Sequence, residues 1–256
     1  MNEAEIHRWV VLGVFLAAGI TFAATGLKTA PYGRHSQGGK GGLGLPERLG
    51  WVVMEAPSVF GFWWIFHQGT RSTELVPTVF LSMWMLHYAH RGLIYPLRKR
   101  VAPGKTISLF MVVLPGMLFN SANAYVNARW LTELGPAYPL AWLWSFRFLY
   151  GLMLFVTGFV INRWADWKLR TLRKPGQTGY QIPRGGLYDE VSCPNYLGEI
   201  MQWLGFAIAT WSLPGLVFAV FTAANLVPRA VSHHLWYKRQ FPDYPSRRRA
   251  IIPYVL

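Results

Sequence analysis

Stretches of mostly apolar residues run from one end of the chain to the other, and they constrain the fold more than any other feature of the sequence. Read by hydropathy and helical period, they cover residues 6–25, 50–67, 73–95, 107–126, 141–161, 197–211 and 215–237. An α-helix needs roughly 20 apolar residues to cross a hydrocarbon core about 30 Å thick, and several of these runs approach that length. The expected fold is an all-α integral membrane protein with seven transmembrane helices. A secretory signal resembles the first run, but Glu3 and Glu5 precede it where a signal has a basic start, so it is read as a membrane helix.

Only 14% of the 256 residues are charged while 52% are hydrophobic, too few charges for an ordinary soluble domain. No Ser/Pro-rich or low-complexity linker separates the apolar runs, so residues 1–256 are expected to form a single membrane-embedded domain. The formal charge of +14 is not concentrated in a compact basic module with stacking aromatics, which argues against nucleic acid as a partner. The Lys and Arg residues lie between the apolar runs instead, where they face lipid headgroups or an anionic cofactor. The lone Cys193 excludes an internal disulfide and a thiolate metal cluster.

Loops after the first, third, fifth and seventh runs hold nearly all the basic residues, whereas the others hold Arg71 with Glu74 and Arg129 with Glu133. The positive-inside rule then puts the N-terminus outside and the C-terminus in the cytoplasm. Polar clusters at Tyr32 to Arg48, Tyr88 to Lys105, Asn162 to Glu199 and Arg229 to Tyr237 all fall on that cytoplasmic side and can converge. Gly39-Lys40-Gly41-Gly42-Leu43-Gly44 matches a dinucleotide-binding pattern in form only. No strand precedes it and no crossover unit surrounds it, so it reads as a Gly-rich loop.

Two places carry chemistry at membrane depth or at its edge. Glu55 lies inside the second apolar run, where a carboxylate costs several kcal/mol unless it is paired, protonated or facing a cavity. It fits a functional site or a structural hydrogen-bond network. Asn162, Asp166, Arg170 and Arg173 fall on one helical face, Asn195 and Glu199 repeat the spacing, and Tyr88, Arg91 and Tyr95 share another face. A solvated juxtamembrane helix would show the same spacing as a site.

A set of motifs narrows this. Tyr32-Gly33-Arg34-His35, Glu55-Ala56-Pro57-Ser58, His87-Tyr88-Ala89-His90-Arg91, Leu172-Arg173-Lys174-Pro175-Gly176, Gly179-Tyr180-Gln181-Ile182-Pro183, Gly185-Gly186-Leu187, Asn195-Tyr196-Leu197-Gly198-Glu199, Ala209-Thr210-Trp211-Ser212-Leu213-Pro214 and His233-His234-Leu235-Trp236-Tyr237 together resemble the steroid 5-alpha-reductase family. The resemblance covers most of the chain and is strongest from Ile161 onward. It implies a helical membrane enzyme that uses NADPH to reduce the carbon–carbon double bond of a 3-oxo enone. By the same resemblance Glu55 and Tyr88 hold the substrate carbonyl; Trp51, one turn before Glu55 on the same helical face, is then expected to wall the apolar rings. Tyr32, Arg34, Asn162, Asp166, Arg173, Tyr180, Asn195, Glu199, Arg229, His233 and Tyr237 match the cofactor-binding set. One departure is Met54, which stands where relatives often carry a Gln.

Hydride addition at the beta carbon of an enone builds negative charge on the carbonyl oxygen, which calls for a proton donor or strong hydrogen bond in a water-free pocket. Tyr88 can donate and Glu55 can orient it. Three rival readings remain. A methyltransferase using S-adenosylmethionine shares the Asn195 to Glu199 pattern, and a lipid transporter or binding protein also accommodates a buried Glu. A di-iron site would need nearly all seven His residues, so no metal is expected. The remaining expectations are a multi-pass protein of a bacterial inner membrane or ER-type membrane, with the site toward the cytoplasm, acting as a monomer on a steroid-like substrate drawn from the bilayer.

Overall fold

A computed structural model describes residues 1–27, 43–98, 101, 104–172 and 179–256. The described residues are overwhelmingly helical. Helix α1 is Glu3–Leu27, followed by strand β1 (Gly44–Pro46) and α2 (Glu47–Phe66). Helix α3 is Leu75–Tyr88, which runs on through a π-helical turn at Ala89–Ile94 into a short piece at Tyr95–Arg98. Strand β2 (Thr106–Ser108) pairs antiparallel with β1 and leads into α4 (Leu109–Leu134). Helices α5 (Phe146–Thr171), α6 (Pro194–Thr210) and α7 (Leu213–Gln240) complete the chain.

Five of these, α1, α2, α4, α5 and α7, are long and apolar enough to cross a membrane. The 14-residue α3 and the 17-residue α6 are helical where apolar runs predict them, but they fall outside that group. The outward faces carry large apolar side chains such as Phe15, Ile20, Met111, Leu118, Phe146 and Val160, as lipid contact requires.

Two helices exceed the spans expected from hydropathy. Helix α4 continues to Leu134 instead of ending near residue 126, and α5 runs from Phe146 to Thr171 instead of 141–161. Both extensions are polar, so hydropathy misses them, yet neither contains a Pro or Gly to stop the helix. Residues Leu140–Trp144 form a 3₁₀ turn instead, and α5 starts where Ser145 Oγ caps Phe148 N at 3.2 Å. The expected break between the last two runs is present. Trp211 takes a left-handed conformation at φ 46°, and Ser212 Oγ caps Gly215 N at 3.1 Å to start α7.

Helices α5 and α6 pack at backbone distance. Gly151 and Gly158 of α5 face Gly205 and Gly198 of α6, so a Cβ on any of the four would lie 2.4–2.6 Å from the partner helix's backbone. Small residues permit this closeness, and it brings Asn162 directly against the first turn of α6. At the other end of the bundle, Glu3 accepts from Arg129 at 2.6 and 2.8 Å, and His7 Nε2 donates to Val126 O at 2.9 Å. These contacts tie α1 to α4. An aromatic core of Phe62, Trp84, Trp203, Phe206 and Phe218 fills the space between α2, α3, α6 and α7.

Gly198→Ala is expected to destabilise the folded protein by about 1–3 kcal/mol, because the α5 backbone leaves no room for the added methyl. Gly19→Ala, with nothing within 4 Å, is its control. Thermal unfolding in detergent should show a lower Tm for the first and an unchanged or higher Tm for the second, where Ala only favours the helix; equal values would contradict the packing described.

Candidate functional site

Glu55 stands two residues before an irregularity in α2. Pro57 lacks an N–H and the helix widens into a π-helical turn over Pro57–Gly61. The Glu55 side chain is buried, and its two oxygens are held separately. Arg91 Nε donates to Oε1 at 3.2 Å and Asn120 Nδ2 to Oε2 at 3.3 Å. Asn120 also donates to Met54 O at 2.7 Å, so α4 fixes both the main chain and the side chain at this point. Trp51, one turn earlier, faces the same cluster: its ring lies 5.6 Å from Arg91 Cζ and meets the edge of Tyr95. Met54 points elsewhere. Its Cγ and Sδ fill the space above Gly116, within an apolar cluster of Trp51, Ile107 and Val113.

Tyr88 ends the regular part of α3, buried between Trp84 and Trp203 at ring separations of 4.9 and 5.5 Å. No hydrogen bond joins it directly to Glu55 among the described residues. The next turn contains Arg91 and is itself π-helical. From there Arg91 Nη1 reaches Glu199 Oε2 on α6 at 3.4 Å. One turn back along α3, His87 Nδ1 bonds Gln202 Oε1 at 3.0 Å, a second rung between the same two helices.

The close approach of α5 and α6 assembles the remaining polar groups. Asn162 Nδ2 donates to Asn195 O at 2.8 Å and to Glu199 Oε2 at 3.4 Å, while Asn195 Nδ2 donates to Asp166 Oδ1 at 3.2 Å. Arg163 contacts His90 and Asn162 and lies 3.8 Å from Asp166 Oδ2. Glu55, Arg91, Glu199, Asn162, Asn195 and Asp166 therefore form one connected network drawn from α2, α3, α5 and α6.

Helix α7 brings a second group beside it. Arg229, His233 and Tyr237 recur at four-residue spacing on its buried face, with Pro228 at the first of these turns. Arg229 Cζ lies 5.9 Å from the ring of Tyr196, the neighbour of Asn195, and Tyr196 OH bonds His233 Nε2 at 3.2 Å. Tyr237 stacks on Tyr244 at 5.3 Å. Tyr244 belongs to a C-terminal tail clasped against the start of α6: its hydroxyl and His234 Nδ1 both meet Ser192 Oγ, at 2.6 and 2.7 Å, and Ser192 N donates to Arg249 O. Burial pushes the Tyr244 phenol above its ordinary range. Tyr180 is half exposed, edge-on to Trp236 at 4.8 Å. Tyr32, Arg34 and Arg173 lie outside the described residues.

Helical spacing puts Arg91 on a face with Tyr88 and Tyr95 but names no partner for it, and it gives no role to Asn120, Gln202 or Arg163. The signal for Arg91 was a cation inside an apolar run, the same signal that marked Glu55. Among the described residues, no three His, Cys, Asp or Glu side chains converge as a metal-binding group.

A family model described as 3-oxo-5-alpha-steroid 4-dehydrogenase matches residues 105–256. The chain belongs to the steroid 5-alpha-reductase family. Relatives at nearly full length agree. A steroid 5-alpha-reductase of Solanum lycopersicum is 39% identical over 255 residues, covering 99% of this chain and 98% of the relative. The 3-oxo-5-alpha-steroid 4-dehydrogenase 1 of Rattus norvegicus is 42% identical over 248 residues, covering 95% and 94% respectively. That of Homo sapiens is 41% identical over 236 residues, covering 91% and 89%. This steroid 5-alpha-reductase family member is thus a membrane protein of an oxidoreductase family.

The network makes a prediction independent of any ligand. Asn162→Asp should lower Tm more than Asn162→Ala, because it sets a third carboxylate beside Glu199 and Asp166 and opposite the Asn195 carbonyl, which cannot donate. A Tm for Asn162→Asp no lower than that of Asn162→Ala would contradict this, and wild-type Tm in both would show that the contact contributes nothing.

Proposed function

We infer that this protein reduces the carbon–carbon double bond of a 3-oxo-delta-4 steroid or a similar lipophilic enone, with NADPH as the reductant. The observation that carries this reading is the single hydrogen-bonded path from Glu55 to Glu199 through Arg91, in a chain whose relatives are named for 5-alpha reduction of 3-oxo steroids over nearly its whole length. The methyltransferase and transporter readings leave that match unused.

The donor set around α5, α6 and α7 suits a dinucleotide. Carboxylates at Glu199 and Asp166 and carboxamides at Asn162 and Asn195 match ribose hydroxyls and an amide, whereas Arg229, His233 and the Tyr196 and Tyr237 hydroxyls match phosphate and ribose oxygens. Tyr180, and Tyr32, Arg34 and Arg173 by family resemblance, extend that set. When bound, NADPH supplies the hydride. The protein's own task is at the other end of the substrate. Negative charge gathers on the enone oxygen as the beta carbon is reduced, and the Tyr88 hydroxyl donates a hydrogen bond to it. Glu55, oriented by Arg91 and Asn120, donates to the carbonyl from its other side in its protonated form, since a carboxylate has no hydrogen to give. Trp51 closes over the apolar rings, and the aromatic packing around Tyr88 keeps water out. With Met54 turned toward Gly116, no carboxamide stands beside Glu55 on α2, so Glu55 and Tyr88 carry the carbonyl between them.

We place all residues in one membrane-embedded domain of seven spans, α3 and α6 included, with the N-terminus outside and this site on the cytoplasmic side. The substrate enters from the bilayer, and the protein acts as a monomer.

Purified protein incubated with NADPH and a panel of enones should yield a product two mass units heavier from a 3-oxo-delta-4 steroid. Tyr88→Phe should lower that turnover by about 10²-fold or more, with NADPH binding nearly intact. Wild-type turnover in Tyr88→Phe would remove its role, and no reduction of any enone by the wild type would overturn the reading.

A further inference from the structure

Arg91 occupies the joint between the two halves of this site. Its Nε donates to Glu55 Oε1 at 3.2 Å, its Nη1 to Glu199 Oε2 at 3.4 Å, and its Cζ lies 5.6 Å from the Trp51 ring. Both carboxylates are buried, and among the described residues neither has an ion pair with any other basic side chain. One guanidinium thus serves two carboxyl groups. In a low-dielectric interior, a carboxylate that loses part of its counter-charge must find other donors, and one that finds other donors releases its share.

On the reading that Glu199 faces the dinucleotide and Glu55 the enone, we propose that Arg91 is a positioning residue that couples the two sites. Donors from a bound dinucleotide engage Glu199, the guanidinium is freed to close on Glu55 Oε1, and the Glu55 carboxyl group is oriented so that its protonated form donates to the enone oxygen. The fork is essential to this role: a guanidinium addresses two acceptors in fixed geometry, whereas an ammonium is a single point charge. The local structure allows the movement. Arg91 sits in a π-helical turn, wider than the regular α3 before it, while the His87–Gln202 rung one turn away holds α3 to α6. Asn120 secures the far oxygen of Glu55, so only the Arg91 side of that carboxylate is adjustable.

Coupling between two ligands is reciprocal, and binding alone measures it. NADP+ and progesterone, a 3-oxo-delta-4 steroid, form a complex that cannot turn over. Wild-type protein should bind progesterone at least about fivefold tighter at saturating NADP+, and NADP+ tighter by the same factor at saturating progesterone. In Arg91→Lys the charge is retained and the fork is lost. Each ligand alone should then bind within about threefold of wild type, and the coupling factor should fall toward one. A merely structural role would weaken both affinities and leave their ratio in place.

Wild-type coupling in a folded Arg91→Lys protein overturns the proposal. So does a wild-type coupling factor of one, a result that requires no variant to fold. Should Arg91→Lys fail to fold, Glu199→Gln is the second variant, and it too must lose coupling while keeping its affinity for progesterone alone. Wild-type protein that binds neither ligand contradicts the reductase reading itself, an outcome distinct from both.

Discussion

Everything at the proposed site depends on how closely two helices can approach. Gly151, Gly158, Gly198 and Gly205 leave α5 and α6 no side chains between their backbones, and no methyl could be added at any of them without collision. At that distance the Asn162 side chain reaches the main chain of Asn195, and Glu199 points back toward α5. With ordinary side chains at those positions, the interhelical distance would rise toward the 8–10 Å typical of helix pairs and the hydrogen bonds would open. The glycines thus act through geometry, although none of them bears a polar side chain.

The second constraint is the burial of charge. Glu55, Glu199, Asp166, Arg91 and Arg163 lie in or near helices flanked by apolar residues, where an isolated ion is expensive and a paired, hydrogen-bonded one is tolerated. Each has at least one hydrogen-bond or ion-pair partner within the network, several of them shared. Such a network is rigid only when every member is held, which explains why α4 contributes Asn120 to Glu55 and why α3 and α6 share a second rung at His87 and Gln202. The C-terminal tail extends the same economy beyond α7: Ser192 Oγ serves the Tyr244 hydroxyl, His234 and the Arg249 carbonyl at once. This arrangement fixes the ladder of Tyr237 on Tyr244 beside the α7 residues proposed to meet the dinucleotide.

Much of this was legible in the sequence, and the remainder was not for identifiable reasons. Hydropathy located α1 to α7 because lipid-facing surface must be apolar, but it stopped short at residue 161, where α5 turns polar as it enters the site, and at residue 126, where the polar end of α4 meets Glu3 and His7 at the opposite end of the bundle. Helical spacing put Asn162 with Asp166, and Asn195 with Glu199, and these four do meet. Arg91 was visible as a cation on the Tyr88 face. Its partners are separated from it by 36 and 108 positions, however, and no local period reports contacts of that range. The glycine pairs were hidden for a similar reason: each reads as an ordinary helix-weakening residue until the opposing helix is in place. Pairing Glu55 with Tyr88 came from family resemblance. Among the described residues no hydrogen bond joins the two, and their common role belongs to the proposed function.

The central claim is that a 3-oxo enone lies with its carbonyl at Glu55 and Tyr88 and its beta carbon toward the dinucleotide. Isotopic labelling tests it most directly. With NADPH deuterated at its transferable position, the account predicts deuterium at the beta carbon of the reduced product; in heavy water with unlabelled NADPH, it predicts deuterium at the alpha carbon. Label in the reverse positions, or solvent deuterium at both carbons, would contradict the account even if the double bond were reduced.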